Sequence, residues 1–376
     1  MERIPIQLVV CDIDDTLIHK DDHLKEETIQ VIQELKRRGI QFTLATGRMP
    51  YRAESYARDA ELTIPYVANN GSILYDRGRM IWCRMLYAKV IQEITQRYME
   101  MYPHFTVIFS FTDRECPLVR TEWIRKRLGK YKGYDQTLGN TPEVWNQAVH
   151  KIYVLDDARS GMIGAFAREL ERCANEISFF QYGEFSIEIV AGGCSKASGL
   201  TRLLEYLSLP SDCVMAVGDH TNDIEVIKKA GIGVAVANAD PQLKAVADYI
   251  TIGERDQGVK EAVEKFVFGE MLKVCSVLVG NTGNPFDRGG LNDSWIPAMG
   301  FHIRLHMLQP RTAWLVLLTV FQQEKPVLLP CRPVIAAEYR IHGGICRHLQ
   351  IPACPCGPGG LDEPAHQTAD AQHNQT

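Results

Sequence analysis

The sequence has no excess of positive charge: its formal net charge is −5 over 376 residues. It therefore lacks the basic footprint of a nucleic-acid binder, and nucleic acid is set aside as a partner. Long hydrophobic stretches are missing as well. The longest, Ala313 to Phe321, contains Thr319 and falls far short of the roughly 20 residues that cross a bilayer, so no transmembrane helix and no membrane partner is expected. The start, Met1-Glu2-Arg3-Ile4-Pro5, lacks the charged, apolar, small-residue succession of a secretory signal, which predicts a cytoplasmic protein. Zinc-type spacing is absent from the 11 cysteines. Cys11, Cys83, Cys116, Cys173, Cys194 and Cys213 read as reduced, mostly buried thiols. His302 and His306 would share a helix face but have no third ligand, and Cys354-Pro355-Cys356 has no partner cluster; both are taken as incidental. No internal repeat is visible.

What is present is organised around Leu8-Val9-Val10-Cys11-Asp12-Ile13-Asp14-Asp15-Thr16-Leu17. A short apolar run reads as a buried parallel strand, and here it ends abruptly in carboxylates that a core would not choose. In open parallel sheets ligands sit beyond the carboxyl ends of the strands, so Asp12 and Asp14 face one substrate there. Helix Lys25 to Arg38, stopping at Gly39, strand Ile40 to Ala45, helix Tyr51 to Ala60 and strand Tyr66 to Ala68 follow, a β-α-β-α-β run with right-handed crossovers. Asn69-Asn70-Gly71 then opens a hairpin through Tyr75 and Ile81.

From about Arg84 to Val190 the rhythm changes to mixed elements: helix Ala88 to Met101, strand Phe105 to Ser110, strand Lys151 to Leu155, helix Gly161 to Cys173 and the alternating strand Ser186 to Val190. Helix Ala197 to Leu207, strand Val214 to Val217, helix Ile224 to Ala230, strand Gly233 to Val236, helix Pro241 to Val246 and helix Val259 to Val267 resume the first pattern. The fold class is thus α/β, a doubly wound parallel-sheet core (1–83 plus 192–268) with an inserted α+β domain (84–191). Residues 269–376 hold ten of the 18 prolines, few charges and no clear period. They are read as an atypical, disordered tail.

Four clusters fall at strand ends or at the starts of the helices that follow: Asp12 with Asp14, Thr46, Lys196, and Gly218-Asp219 with Asn222 and Asp223. Chemistry on a phosphate ester needs a nucleophile, a proton donor for the leaving oxygen, cations for the equatorial charge and a metal between anions. An Asp attacks phosphorus to give an aspartyl phosphate, and a second carboxyl relays the proton. Carboxylates at two strand ends make a hard oxygen cage that suits Mg²⁺ better than zinc. The turn Thr46-Gly47 offers a hydroxyl and free backbone N–H groups before a helix, and Lys196 a point charge. Alone, a D-x-D, a strand-to-helix turn or one lysine means little, and Asp219 and Asp223 read as ordinary helix-start acids. Their order in the chain gives them weight.

Asp-Ile-Asp-Asp-Thr-Leu (Asp12 to Leu17), Thr-Gly-Arg (Thr46 to Arg48), Ser195-Lys196 and Gly-Asp-His-Thr-Asn-Asp (Gly218 to Asp223) resemble the four motifs of the haloacid dehalogenase superfamily. The insert between the second and third is similar to the C2B cap of its Cof-type phosphatases. The resemblance covers about residues 5 to 268. It implies Asp12 as nucleophile and Asp14 as acid/base, with Asp12, the Asp14 carbonyl, Asp219 and Asp223 on the Mg²⁺ side. Ile13, Thr46, Gly47, Lys196 and Asn222 are the implied phosphate ligands, and His220 is a spacer. Asp15 stands where many relatives have Gly. The expected activity is Mg²⁺-dependent hydrolysis of a small phosphate monoester, a sugar phosphate or a cofactor phosphate. A phosphomutase or phosphotransferase using the same aspartyl phosphate, or a non-catalytic phosphate sensor, are the alternatives.

Overall fold

The computed structural model describes residues 5–19 and 23–269 and, beyond them, four strands. Leu8–Cys11 is an interior strand of a five-stranded parallel sheet, flanked by Val214–Gly218 and Gln41–Leu44, with Ile232–Ala235 and Tyr249–Ile250 outside Val214–Gly218. All four residues of Leu8–Cys11 are buried. A strand covered on both faces has no reason to alternate, hence the unbroken apolar run. A single parallel bridge, Ala45 to Val67, carries the pairing on to Tyr66–Ala68, Ile73–Asp76 and Arg79–Cys83, an antiparallel trio. The parallel rhythm breaks at Asn69–Gly71, where Asn69 and Asn70 both take the left-handed backbone and turn the chain back.

Helix Lys196–Leu207 begins at a reciprocal cap. Ser195 Oγ accepts from the Ser198 N–H while Ser198 Oγ accepts from the Ser195 N–H, which satisfies two end donors and fixes where Lys196 starts. Helix Pro50–Asp59 opens on a proline, whose missing N–H would have had no helical partner.

The insert builds its own five-stranded antiparallel sheet, in the order Ile177–Tyr182, Ser186–Ala191, Lys151–Asp156, Phe105–Ser110, Glu115–Pro117. Of these, Ile177–Tyr182 and Glu115–Pro117 were not expected from the sequence. Ile152, Val154, Ile187 and Ile189 point to one face and pack with Phe166 of helix Met162–Leu170 in an apolar cluster separate from that of the parallel sheet. Lys151, Tyr153 and Glu188 alternate with them and take the opposite face. The six cysteines named above are free thiols, and only Cys83 is exposed.

No periodic element was expected beyond residue 268, yet Ser294–Ala298, Phe301–Leu308, Leu315–Gln322 and Lys325–Val327 form an antiparallel sheet in that order. They belong to a second unit, Asn284–Thr376, the first being Met1–Gly283. Leu315–Gln322, LVLLTVFQ, is rich in β-branched and aromatic residues that suit a pleated strand, but an apolar run without alternation does not announce itself as one. His302 and His306 therefore lie on a strand, not on a helix. The proline- and glycine-rich stretch 352–360, with Cys354-Pro355-Cys356, and the polar end lie outside the described residues. No helix among the described residues is long and apolar enough to cross a membrane.

Candidate active site

The register brings the first cluster to one edge. Cys11 pairs with Leu44 on one side and Val217 on the other, so Asp12, Thr46 and Asp219 leave the sheet together at its carboxyl end. The Asp12 N–H still donates to the Val217 carbonyl at 3.0 Å. Lys196 reaches in from its own helix, with Nζ 2.8 Å from Asp12 Oδ1 and 2.7 Å from Asp223 Oδ1. The other oxygen of Asp223 accepts from the N–H groups of Asp219 and His220, both at 3.2 Å. Asp223 also explains Gly218, since a Cβ there would come within 2.5 Å of the Asp223 carboxyl carbon.

One ligand oxygen from each of Asp12, Asp219 and Asp223 falls within 4.8 Å of the others. Burial pushes the Asp12 carboxyl well up; Lys196 opposes this, while Asp223, Asp219 and Asp14 add to it. Burial and the Asp223 charge push Asp219 up to about 7, despite the 2.6 Å hydrogen bond donated by Thr16 Oγ1. The three carboxylates have one ammonium among them, paired with Asp12 and Asp223. This hard, oxygen-only set with surplus negative charge fits a divalent cation bound by oxygen.

Asp14 is half exposed, and both its oxygens accept from Arg48, including Nε at 2.9 Å from Oδ2. Burial works against the Arg48 charge, but the hydrogen bonds and charge of Asp14 outweigh it. Asp15 has φ +53°, in the left-handed region that glycine takes freely and aspartate tolerates. That accounts for the residue types at this position. Its carboxylate meets Arg255 Nε at 3.1 Å and His19 Nδ1 at 3.2 Å.

The Thr46-Gly47 turn differs from expectation in one respect. The Thr46 N–H is not free, because it donates to the Val67 carbonyl at 2.9 Å as the chain crosses to the next strand. Thr46 Oγ1 accepts from the Arg48 N–H. Asn222 uses Nδ2 on Asn70 Oδ1 at 3.0 Å and on the Tyr182 hydroxyl at 3.3 Å. Ile13 is fully buried, its carbonyl accepting from the N–H groups of Leu17 and Ile18. His220 is more than a spacer: its ring stacks on Tyr182 of the cap with centroids 5.0 Å apart, and burial lowers its pKa.

A cleft of about 580 Å³ opens between this edge and the inner face of the cap sheet, where Lys151, Tyr153 and Glu188 line the cap side. Arg52, from the first turn of its helix, lies 3.8 Å from Glu115 and over the ring of Tyr131, both in the cap. Asn70, Arg52, Lys151 and Tyr182 carried no motif that would have marked them. The only sequence signals were the turn-forming Asn69-Asn70-Gly71 and the polar alternation in Ser186 to Val190.

A family model for haloacid dehalogenase-like hydrolases matches residues 9–263. The chain is 28% identical over 273 residues to a 5-amino-6-(5-phospho-D-ribitylamino)uracil phosphatase of Bacillus subtilis (strain 168), covering 71% of this chain and 99% of that one. It is 27% identical to the chloroplastic endoribonuclease YBEY of Arabidopsis thaliana, but spans only 46% of that protein. A crystal structure of a haloacid dehalogenase-like hydrolase from Bacteroides thetaiotaomicron superposes with a TM-score of 0.59 at 26% identity, over 69% of this chain and 99% of that one. With the four motifs meeting at one sheet edge beneath an inserted cap, the chain belongs to the haloacid dehalogenase-like hydrolases.

Proposed function

We propose that the chain hydrolyses a small phosphate monoester, a sugar phosphate or a phosphorylated cofactor, with Mg²⁺ and through an aspartyl phosphate on Asp12. The observation that carries this reading is the meeting of Asp12, Lys196, Asp219 and Asp223 at the carboxyl edge of the sheet, with Asp14 two residues beyond Asp12. Asp12, Asp219 and the Asp14 carbonyl would hold Mg²⁺, with Asp223 beside them, and the ion would screen the phosphate from the carboxylates. Lys196 opposes the effect of burial on Asp12 and aims its carboxylate. Asp12 attacks phosphorus, the ester oxygen departs, and Asp14 supplies its proton, then takes one from the water that releases phosphate.

Thr46 Oγ1, the N–H groups of Ile13 and Gly47, Lys196 and Asn222 would receive the phosphate oxygens. For Asn222 this means exchanging its bond to the cap hydroxyl of Tyr182 for one to phosphate. Asp14 would release Arg48 to act on the leaving group. The relative from Bacillus subtilis, named for a substrate with a ring on a phosphorylated chain, favours a leaving group large enough to enter the cleft. A panel of sugar phosphates and cofactor phosphates, assayed for phosphate release with Mg²⁺ and with excess chelator, tests the reading. Metal-independent release, or phosphate passed to a second hydroxyl instead of water, would overturn it.

A further inference from the structure

Glu188 stands on the cap sheet between two cap partners, yet it also bonds Asn70 of the core and lies against the Gly47 turn. Its Oε1 accepts from Lys151 Nζ at 2.6 Å, and its Oε2 from Asn70 Nδ2 at 2.7 Å and the Tyr182 hydroxyl at 3.1 Å. Lys151 and Tyr182 flank it diagonally on the two neighbouring strands, Tyr153 and Phe180 being directly opposite. Lys151 also donates to the Gly47 carbonyl at 3.1 Å. The approach to the loop is so close that a Cβ on Gly47 would lie 2.9 Å from Glu188 Oε2 and 3.1 Å from Asn70 Oδ1.

The chemistry of these groups gives the network a direction. A carboxylate only accepts, so Asn70 must turn its Nδ2 to Glu188 and its Oδ1 away. That oxygen then dictates that Asn222 presents Nδ2 to it. One carboxylate thus sets the orientation of two amides in series, and through Lys151 the placement of the Gly47 carbonyl. Asn70 holds its place in this chain because its left-handed backbone, φ +49°, aims the side chain between cap and core.

Resting on the phosphatase reading above, we infer that Glu188 is a positioning residue. It sets the donor pattern of Asn70, Asn222 and the Gly47 turn, so the phosphate-binding side of the core is completed by the cap and is the same for every substrate. A residue that merely chose the leaving group would act on each ester differently. The probes that separate the two roles have little or no leaving group: acetyl phosphate as substrate and inorganic phosphate as inhibitor.

Glu188→Gln keeps the shape but puts a donor where Asn70 or Lys151 needs an acceptor. It is expected to lower kcat/KM at least about tenfold, by a common factor for acetyl phosphate and for larger esters, and to weaken inhibition by inorganic phosphate to a similar degree. The double variant Asn70→Asp/Glu188→Gln reverses the polarity of the contact, with Gln donating, Asp accepting from both sides and the net charge unchanged. It is expected to regain most of the phosphate affinity. If Glu188→Gln does not fold, the double variant alone decides: folded with phosphate inhibition restored supports the inference, and folded without it overturns it. Unequal losses across the esters with unchanged phosphate inhibition also overturn it. Failure of the unaltered chain to hydrolyse acetyl phosphate or any ester would instead remove the phosphatase reading.

Discussion

Lys196 holds Asp12 from across the site, its Nζ 2.8 Å from the carboxylate and only 1% of its side chain exposed. A buried ammonium survives there because two acids face it, and they hold its pKa up against the effect of burial. Removing one partner of such a group leaves the others uncompensated, which costs about 3–5 kcal/mol. Lys196→Met is therefore expected to lower the urea midpoint markedly and to abolish measurable phosphate release. A variant as stable as the unaltered chain would mean that the acids do not need this cation.

His150 gives a pH dependence whose direction is fixed by burial. It is 2% exposed, its Nδ1 has no partner among the described residues, and burial lowers its pKa below the usual 6.5. The unfolded chain binds this proton more readily than the folded one, so the stability from neutral His150 is complete above about pH 6.5 and is lost as pH falls through the lower folded value. Urea midpoints at pH 8 and pH 5.5 are expected to differ less in His150→Gln than in the unaltered chain. Equal differences would show that the ring accommodates its proton without cost.

Much of this site was legible because its motifs sit where strands end. Asp12, Thr46, Lys196 and Asp219 each follow a local change from apolar run to polar turn or cap, a pattern visible within ten residues. The hydrogen bonds that join cap to core were not. Asn70, Lys151, Tyr182 and Glu188 come from four separate segments, and their convergence depends on the register of the cap sheet and on one left-handed residue. Strand Ile177–Tyr182 escaped for a similar reason: ISFFQY mixes apolar and polar residues without alternation, since its residues are mostly half-buried at the sheet edge.

A chain ending at Gly269 is expected to keep full activity and its thermal midpoint. The apolar cluster that supports the parallel sheet closes with Val267 and Phe268, whose ring lies beneath Arg38 at 4.0 Å. The relative from Bacillus subtilis is matched over 99% of its length by 71% of this chain. Turnover reduced several-fold, or a lower midpoint by calorimetry, would assign the second unit a structural role in the first.

Phe185 precedes strand Ser186–Ala191 and lines the cleft, packed against the apolar cluster of Trp123, Tyr134 and Leu155. Phe185→Ala is expected to reorder the preference among esters with different leaving groups, because a pocket wall discriminates by contacts that differ between transition states. Acetyl phosphate hydrolysis should barely change. Equal loss on every ester would make Phe185 a support for the cap and not a wall of the pocket.

Asp12 and Asp14 are expected to fail in different ways, because they serve different steps on one phosphoryl group. Asp12→Asn removes the attacking oxygen, so no covalent intermediate forms. Asp14→Asn keeps the nucleophile and its contact with Lys196, but it removes the proton relay, worth roughly 10²- to 10⁴-fold in rate. It also breaks the fork that Arg48 makes on both Asp14 oxygens. With a leaving group that needs little protonation, such as p-nitrophenolate, attack still proceeds in Asp14→Asn while hydrolysis of the aspartyl phosphate stalls. Intact mass after rapid quench should then show a phosphorylated chain in Asp14→Asn and none in Asp12→Asn. A phosphorylated Asp12→Asn chain would place the attack on another residue, and unimpaired turnover in both variants would exclude both carboxylates from the chemistry.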